Sequence, residues 1–119
     1  MQSELGPLTI DHRDFLLNRE VRDMPPASFK AYVLLLCERW EGGSLPSDLD
    51  SLARYAGVSP TIMKNKVWGD IANQFFEVGD DLLDNEFTLA QRKKAVRGLV
   101  ARQKMADAAR RRAAQNRRE

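Results

Sequence analysis

Lys64, Asn65 and Lys66 stand in a row within SLARYAGVSPTIMKNKV, residues 51–67. Their types suit a nucleic-acid duplex: lysine neutralises a phosphate, and asparagine can pair with the edge of an adenine. Arg54, ten residues earlier, is a further candidate for a phosphate contact. To meet a groove, these residues must be carried on a rigid helix near its N-terminal end. The stretch reads as two short helices joined by a sharp turn at Gly57-Val58-Ser59-Pro60. Gly57 accommodates the positive backbone dihedral of such a turn, where other residues meet a steric cost. Ser59 can cap the second helix, and Pro60 suits its first position. Ala53 is small enough to let the second helix pack close. This is the grammar of a helix-turn-helix, whose second helix can enter a major groove. The same unit also builds purely structural domains, and on that reading residues 64–66 are an ordinary solvated face.

A second set of basic residues lies at the C-terminal end: Arg102, Lys104, Arg110, Arg111, Arg112, Arg117 and Arg118. The formal net charge of +2 conceals the division this creates. Residues 91–119 hold eleven Lys or Arg against Asp107 and Glu119, a net of +9. Residues 1–90 hold eight basic and fifteen acidic residues, a net of −7. Such a tail seeks polyanions or an acidic protein face, while the body as a whole repels nucleic acid at long range. The plainer alternative is a solubilising end with no target.

Other reactive side chains lack companions. His12 is the only histidine and reads as a surface residue near a helix start; a metal or catalytic role needs partners that the sequence does not offer. Cys37, the only cysteine, reads as a small core residue. It excludes an internal disulfide and suits a reducing cytosol. Asp80, Asp81, Asp84 and Glu86 do not follow the spacing of a calcium loop and read as a solvated acidic turn. No glycine-rich phosphate loop, paired metal-ligand motif or nucleophile–base constellation is present, so the chain reads as non-enzymatic and free of cofactors. With no run of eighteen apolar residues and no apolar signal core at the N-terminus, the expectation is a cytoplasmic protein without a membrane span.

The elements that must position these groups follow from the hydrophobic pattern. Residues 1–9 lack periodicity until Leu8 and Ile10 dock on a core. Asp11 caps a short helix carrying Phe15, Leu16 and Leu17. Met24-Pro25-Pro26 breaks the chain. The strongest helix then runs from about Pro26 to Glu41, with Phe29, Tyr32, Val33, Leu36, Cys37 and Trp40 on one face, widened by Leu34 and Leu35. Gly42-Gly43 ends it. Ser44-Leu45-Pro46 is a minimal strand, and Ser47 or Asp48 caps the helix Leu49–Ala56. The second helix of the pair spans about Pro60–Asn73 with Ile62, Met63, Val67, Trp68 and Ile71 inward. From Gln74 to Phe87 the period changes to that of a hairpin turning at Gly79-Asp80-Asp81. The hairpin carries Glu77, Asp80, Asp81, Asp84 and Glu86 and no basic residue, which does not suit phosphate contact. From Thr88 the pattern is helical again, with an apolar seam of Leu89, Val96, Leu99 and Val100 that can pack on the body. After Met105 the apolar residues are all alanine, so the end of the chain is expected to project. The fold class that results is mainly α: a winged-helix-like helix-turn-helix domain over residues 1–90 with a short β-hairpin, then a long basic C-terminal helix or tail over residues 91–119.

The order of these parts resembles the YdaU-like domain family of phages and prophages. The resemblance covers roughly residues 10 to 95 and rests on Asp14-Phe15-Leu16, on Ala31 to Leu36 leading to Trp40, and on Glu41-Gly42-Gly43-Ser44-Leu45-Pro46. It continues through Leu52-Ala53-Arg54-Tyr55-Ala56-Gly57-Val58-Ser59 and Phe75-Phe76 before the Gly79 turn. It implies a winged-helix-like domain in a mobile-element setting, with DNA replication or its control as the associated process. The acidic hairpin departs from the family's pattern, in which basic residues follow the turn.

Two functions follow. The first is a phage- or prophage-type DNA-binding module. In it Arg54, Lys64, Asn65 and Lys66 approach the duplex, while the basic tail supplies most of the affinity. The second is a protein-interaction module, a homodimer or an adaptor for a replication or host-defence protein, in which the +9 tail lies on a −7 body.

Overall fold

The computed structural model describes residues 5–118, with side chains through residue 116. Pro26 begins the central helix, α3 (Pro26–Gly42), at a position where its missing N–H would have no helical partner anyway. Ser28, Ala31, Tyr32, Leu35, Leu36, Arg39 and Trp40 are its buried residues, at the three- and four-residue steps of one helix face. Two short helices precede it, α1 (His12–Leu16) and α2 (Arg19–Arg22), capped by Asp11 and Asn18. Strand β1 (Leu45–Pro46) follows, then α4 (Leu49–Ala56), capped by Asp48 rather than Ser47. The next helical segment comprises α5 (Pro60–Ile62), a π turn at Met63–Val67, α6 (Trp68–Ile71) and a 3-10 turn at Ala72–Gln74. Strands β2 (Phe75–Gly79) and β3 (Leu82–Asn85) then lead into α7 (Glu86–Arg118). The chain is therefore mainly helical, with a small antiparallel sheet and a long C-terminal helix. In that sheet β3 lies between β1 and β2. Leu45 pairs with Leu83, Phe76 with Asp84, and a bulge lies between Glu77 and Gly79.

One core holds these parts together. Leu35, Leu36, Leu52, Met63, Val67 and Ile71 are fully buried in it, and Phe15, Leu45 and Leu83 close its edges. Phe15 stacks on Tyr32 and meets Phe29 and Phe87 edge-on, with centroids 5.1–5.9 Å apart. Phe75 continues the cluster to Tyr32 and Trp68. Each such pair adds on the order of 1 kcal/mol beyond its burial. Trp40 donates its indole N–H to the Gly6 carbonyl at 2.8 Å, which straps the N-terminal segment beside α3.

The π turn has a cause legible in the core. Met63, Val67 and Ile71 are all fully buried at four-residue steps. In a regular α-helix each such step overshoots a full turn by about 40°, which would swing Ile71 away from Met63. The wider turn, in which the Trp68 N–H bonds the Met63 carbonyl five residues back, keeps the three in line.

Several sequence expectations are corrected. Cys37 is exposed, because the buried stripe of α3 passes through Leu36, Arg39 and Trp40 instead. Ile62 is exposed, since Met63 takes the inward place at that turn. Ile10, Leu16 and Leu17 are exposed beside the buried Phe15, and only Leu8 of the first stretch packs on the core. Asp84 is not part of a solvated turn: it is buried against Arg39. In α7, Val96 and Val100 stay exposed: Gln91 and Ala95 take the side that faces the body, and Val96 lies with Arg92, Lys93 and Arg97 on the outer side.

Candidate nucleic-acid interface

The helix pair is built as its residues require. Asp48 accepts from the Ser51 N–H at 2.9 Å and starts α4. Those Ser51 hydrogen bonds hold the Asp48 carboxyl below its usual range. At the far end Gly57 has φ +71°, and the Val58 N–H reaches back to the Ala53 carbonyl at 3.0 Å, closing the last turn. Ser59 Oγ accepts from the Ile62 N–H at 3.2 Å and opens α5. Arg54 lies exposed in the last turn of α4. Lys64, Asn65 and Lys66 lie exposed between the anchors Met63 and Val67, so the π turn carries all three outward together. Tyr55, beside Arg54, is also exposed and adds an aromatic ring to this surface. Its signal in the sequence is its place outside the stripe of Leu49, Leu52, Ala53 and Ala56.

The second basic set occupies α7. This helix is launched by Asn85, whose Oδ1 accepts from both the N–H and the hydroxyl of Thr88 at 2.8 and 3.0 Å. Its first turns pack on β3 and α3. Lys94 donates to Asp14 at 2.6 Å and to Asp11 at 3.5 Å, and the hydrogen bond to Asp14 raises the Lys94 pKa. Lys94 is thereby committed to the body. Beyond these contacts the helix projects, and the molecule measures 72 × 29 × 22 Å. Arg102, Lys104, Arg110, Arg111 and Arg112 are all exposed on the projecting part. Arg117 and Arg118 are on the same helix, but their side chains lie outside the described residues.

A further regularity in α7 had not been singled out in the sequence. Lys93, Arg97, Lys104 and Arg111 follow one another at steps of four, seven and seven residues. Seven residues fall about 20° short of two helical turns, so these side chains form one nearly straight stripe. All four are exposed.

The hairpin presents a different surface. Glu77, Asp80 and Asp81 are exposed, and Asp81 has φ +58° at the turn. Asp84 is bound bidentately by Arg39, from Nε to Oδ1 at 2.6 Å and from Nη2 to Oδ2 at 3.2 Å. A cleft of about 390 Å³ opens beside β2, lined by Asn18, Asn73, Gln74 and Asn85 among others. Its amides are engaged: Asn18 donates to Gln74, and both Asn73 and Gln74 donate to Glu20. His12 is exposed. Among the described residues no cluster of His, Cys, Asp and Glu could hold a metal ion, and no helix is long and apolar enough to cross a membrane.

The predicted site residues therefore fall on two separate elements. Arg54 and residues 64–66 belong to the helix pair, and the remainder belong to α7. No protein-family model, curated protein or solved structure matches this chain.

Proposed function

We propose that this protein is a DNA-binding module in which α7 supplies most of the affinity and the helix pair positions the body on the duplex. The observation that carries the reading is the projecting helix, with exposed Arg102, Lys104, Arg110, Arg111 and Arg112 and, among the described residues, no ion pair from them to the body. Arg110 reaches Asp107 of the same helix only at 3.8 Å. A helix of this kind neutralises phosphates and releases counterions, a sequence-independent term that needs no base contact.

Topology supports a winged-helix reading of the body. A strand follows the first long helix, two helices follow the strand, and a hairpin closes the unit with its second strand paired to the first. In that reading the segment from Pro60 is the recognition helix, with Asn65 as the base-reading residue and Lys64, Lys66 and Arg54 on phosphates. The acidic hairpin stands off the duplex. A setting in phage or prophage DNA replication or its regulation follows from the family resemblance of the sequence and is part of the same proposal.

Fluorescence anisotropy with a labelled duplex of arbitrary sequence, at low salt, tests the reading. Binding is expected, and a variant with residues 102, 104 and 110–112 changed to glutamine should lose most of it. No binding by the full chain at low salt would overturn the proposal.

A further inference from the structure

The acidic hairpin plays no part in duplex binding as proposed, yet it carries an unpartnered surface. Phe76, Val78 and Leu82 keep 43%, 43% and 41% of their area exposed. Phe76 sits opposite Asp84 in the register and Leu82 is two residues from Asp84, so the pleat puts Phe76 and Leu82 on one face. Exposed Asp80 and Asp81 set negative charge at the turn beside Leu82, while Glu77, opposite Leu83, lies on the other face.

The projecting part of α7 has the complementary character. Val96, Val100 and Met105 are 40%, 42% and 73% exposed. Lys93, Arg97, Lys104 and Arg111 run along the same helix as an exposed basic stripe. Each surface thus combines exposed apolar side chains with charge of one sign, and the signs are opposite.

The two surfaces of one molecule cannot meet. Helix α7 starts directly after β3 and runs on without a break to Arg118. At 1.5 Å per residue, the helix carries the stripe from Lys93 out to Arg111, about 24 Å beyond Ala95. A contact between them has to come from another molecule.

We propose that α7 of one copy docks on the acidic hairpin of a second copy, with Val96 and Val100 against Phe76 and Leu82 and with Arg97 and Lys104 against Asp80 and Asp81. Each copy offers one of each surface. Two copies that exchange helices satisfy both and close the assembly without leaving a free surface to extend it. The contact is independent of DNA. It also sets the hairpin and the phosphates in competition for Lys104, so the dimer is the form held in the absence of nucleic acid.

Sedimentation equilibrium of the full chain without nucleic acid tests this. A dimer is expected at about 0.1 M salt, where charges act over about 10 Å, and a monomer at about 1 M, where they act over about 3 Å. The hairpin variant Asp80→Lys/Asp81→Lys should be monomeric at both. The helix variant Arg97→Glu/Lys104→Glu should be monomeric as well. Mixed in equal amounts, these two variants should form a heterodimer, because every reversed charge then faces its opposite. All the substitutions are at exposed positions, and circular dichroism checks that each variant is folded; single reversals replace any variant that is not. The proposal is overturned by a full chain that stays monomeric at low salt, by a dimer that the hairpin reversal leaves intact, or by two folded variants that do not pair.

Discussion

Asn85 and Thr88 join the long helix to the body: the Asn85 carboxamide oxygen accepts from the Thr88 N–H at 2.8 Å and from its hydroxyl at 3.0 Å. The other end of the same carboxamide donates to the Tyr32 hydroxyl at 3.1 Å and to the Gln74 carbonyl at 2.7 Å. One buried side chain therefore caps α7 and ties it to α3 and to the start of β2. Asn85→Ala removes the cap and leaves the Gln74 carbonyl and the Thr88 N–H without this partner. Loss of a cap together with stranded buried groups costs about 2–3 kcal/mol. Urea unfolding followed by circular dichroism should show a lower midpoint, and Asn85→Asp, which keeps the accepting oxygen, should recover part of it.

Arg39 and Asp84 are each less than a tenth exposed and bond bidentately between α3 and β3. Removing one partner strands a buried charge. Asp84→Ala or Arg39→Ala should destabilise by about 3–5 kcal/mol, whereas the double change Arg39→Met/Asp84→Leu should cost much less. A double-mutant cycle from urea unfolding measures this; additive effects would show that the pair is not coupled.

The same two residues mark where the sequence could be read and where it could not. The stripe of α3, the minimal strand at Leu45-Pro46, the turn at Gly57 and the hairpin were all legible, because each is set by local spacing or by a residue with a restricted backbone. Arg39 and Asp84 were not paired in advance, since a contact across 45 positions leaves no periodic trace. By its local sequence Asp84 reads, with its neighbours, as surface charge. Cys37 and Ile62 failed differently: each stands one position from the true buried stripe, beside Leu36 and Met63 respectively. The π turn leaves no local mark of its own, although the four-residue steps from Met63 to Ile71 that favour it stand in the sequence. For the candidate interface, residue types and exposure were legible, while the separation of its two halves needed the path of α7.

Acid should weaken the helix pair through Asp48. Its pKa is lowered in the folded protein by the hydrogen bonds from Ser51, from an ordinary value of 3.8. A lowered carboxyl pKa contributes stability that is complete above the unfolded value and is lost as pH falls through the folded one. Asp11, lowered chiefly by the Arg13 N–H, acts in the same direction. Thermal unfolding midpoints should fall as pH drops below the ordinary carboxylate range, and Asp48→Asn should reduce the fall. A midpoint independent of pH in this window would contradict the assignment. Lys94 acts at the other extreme: its pKa is raised by Asp14, so its contribution holds below the ordinary lysine value and is lost as pH rises through the raised one.

The central claim is that α7, more than the helix pair, carries affinity for a duplex, and the salt dependence of binding tests it most directly. The slope of log Kobs against log salt counts the phosphates neutralised, each contributing about 0.9. Changing Arg102, Lys104, Arg110, Arg111 and Arg112 to glutamine should lower the slope by several units and weaken binding at every sequence. Changing Lys64 and Lys66 to glutamine should lower it by at most about two. A slope unchanged by the α7 substitutions and abolished by those at Lys64 and Lys66 would contradict the account.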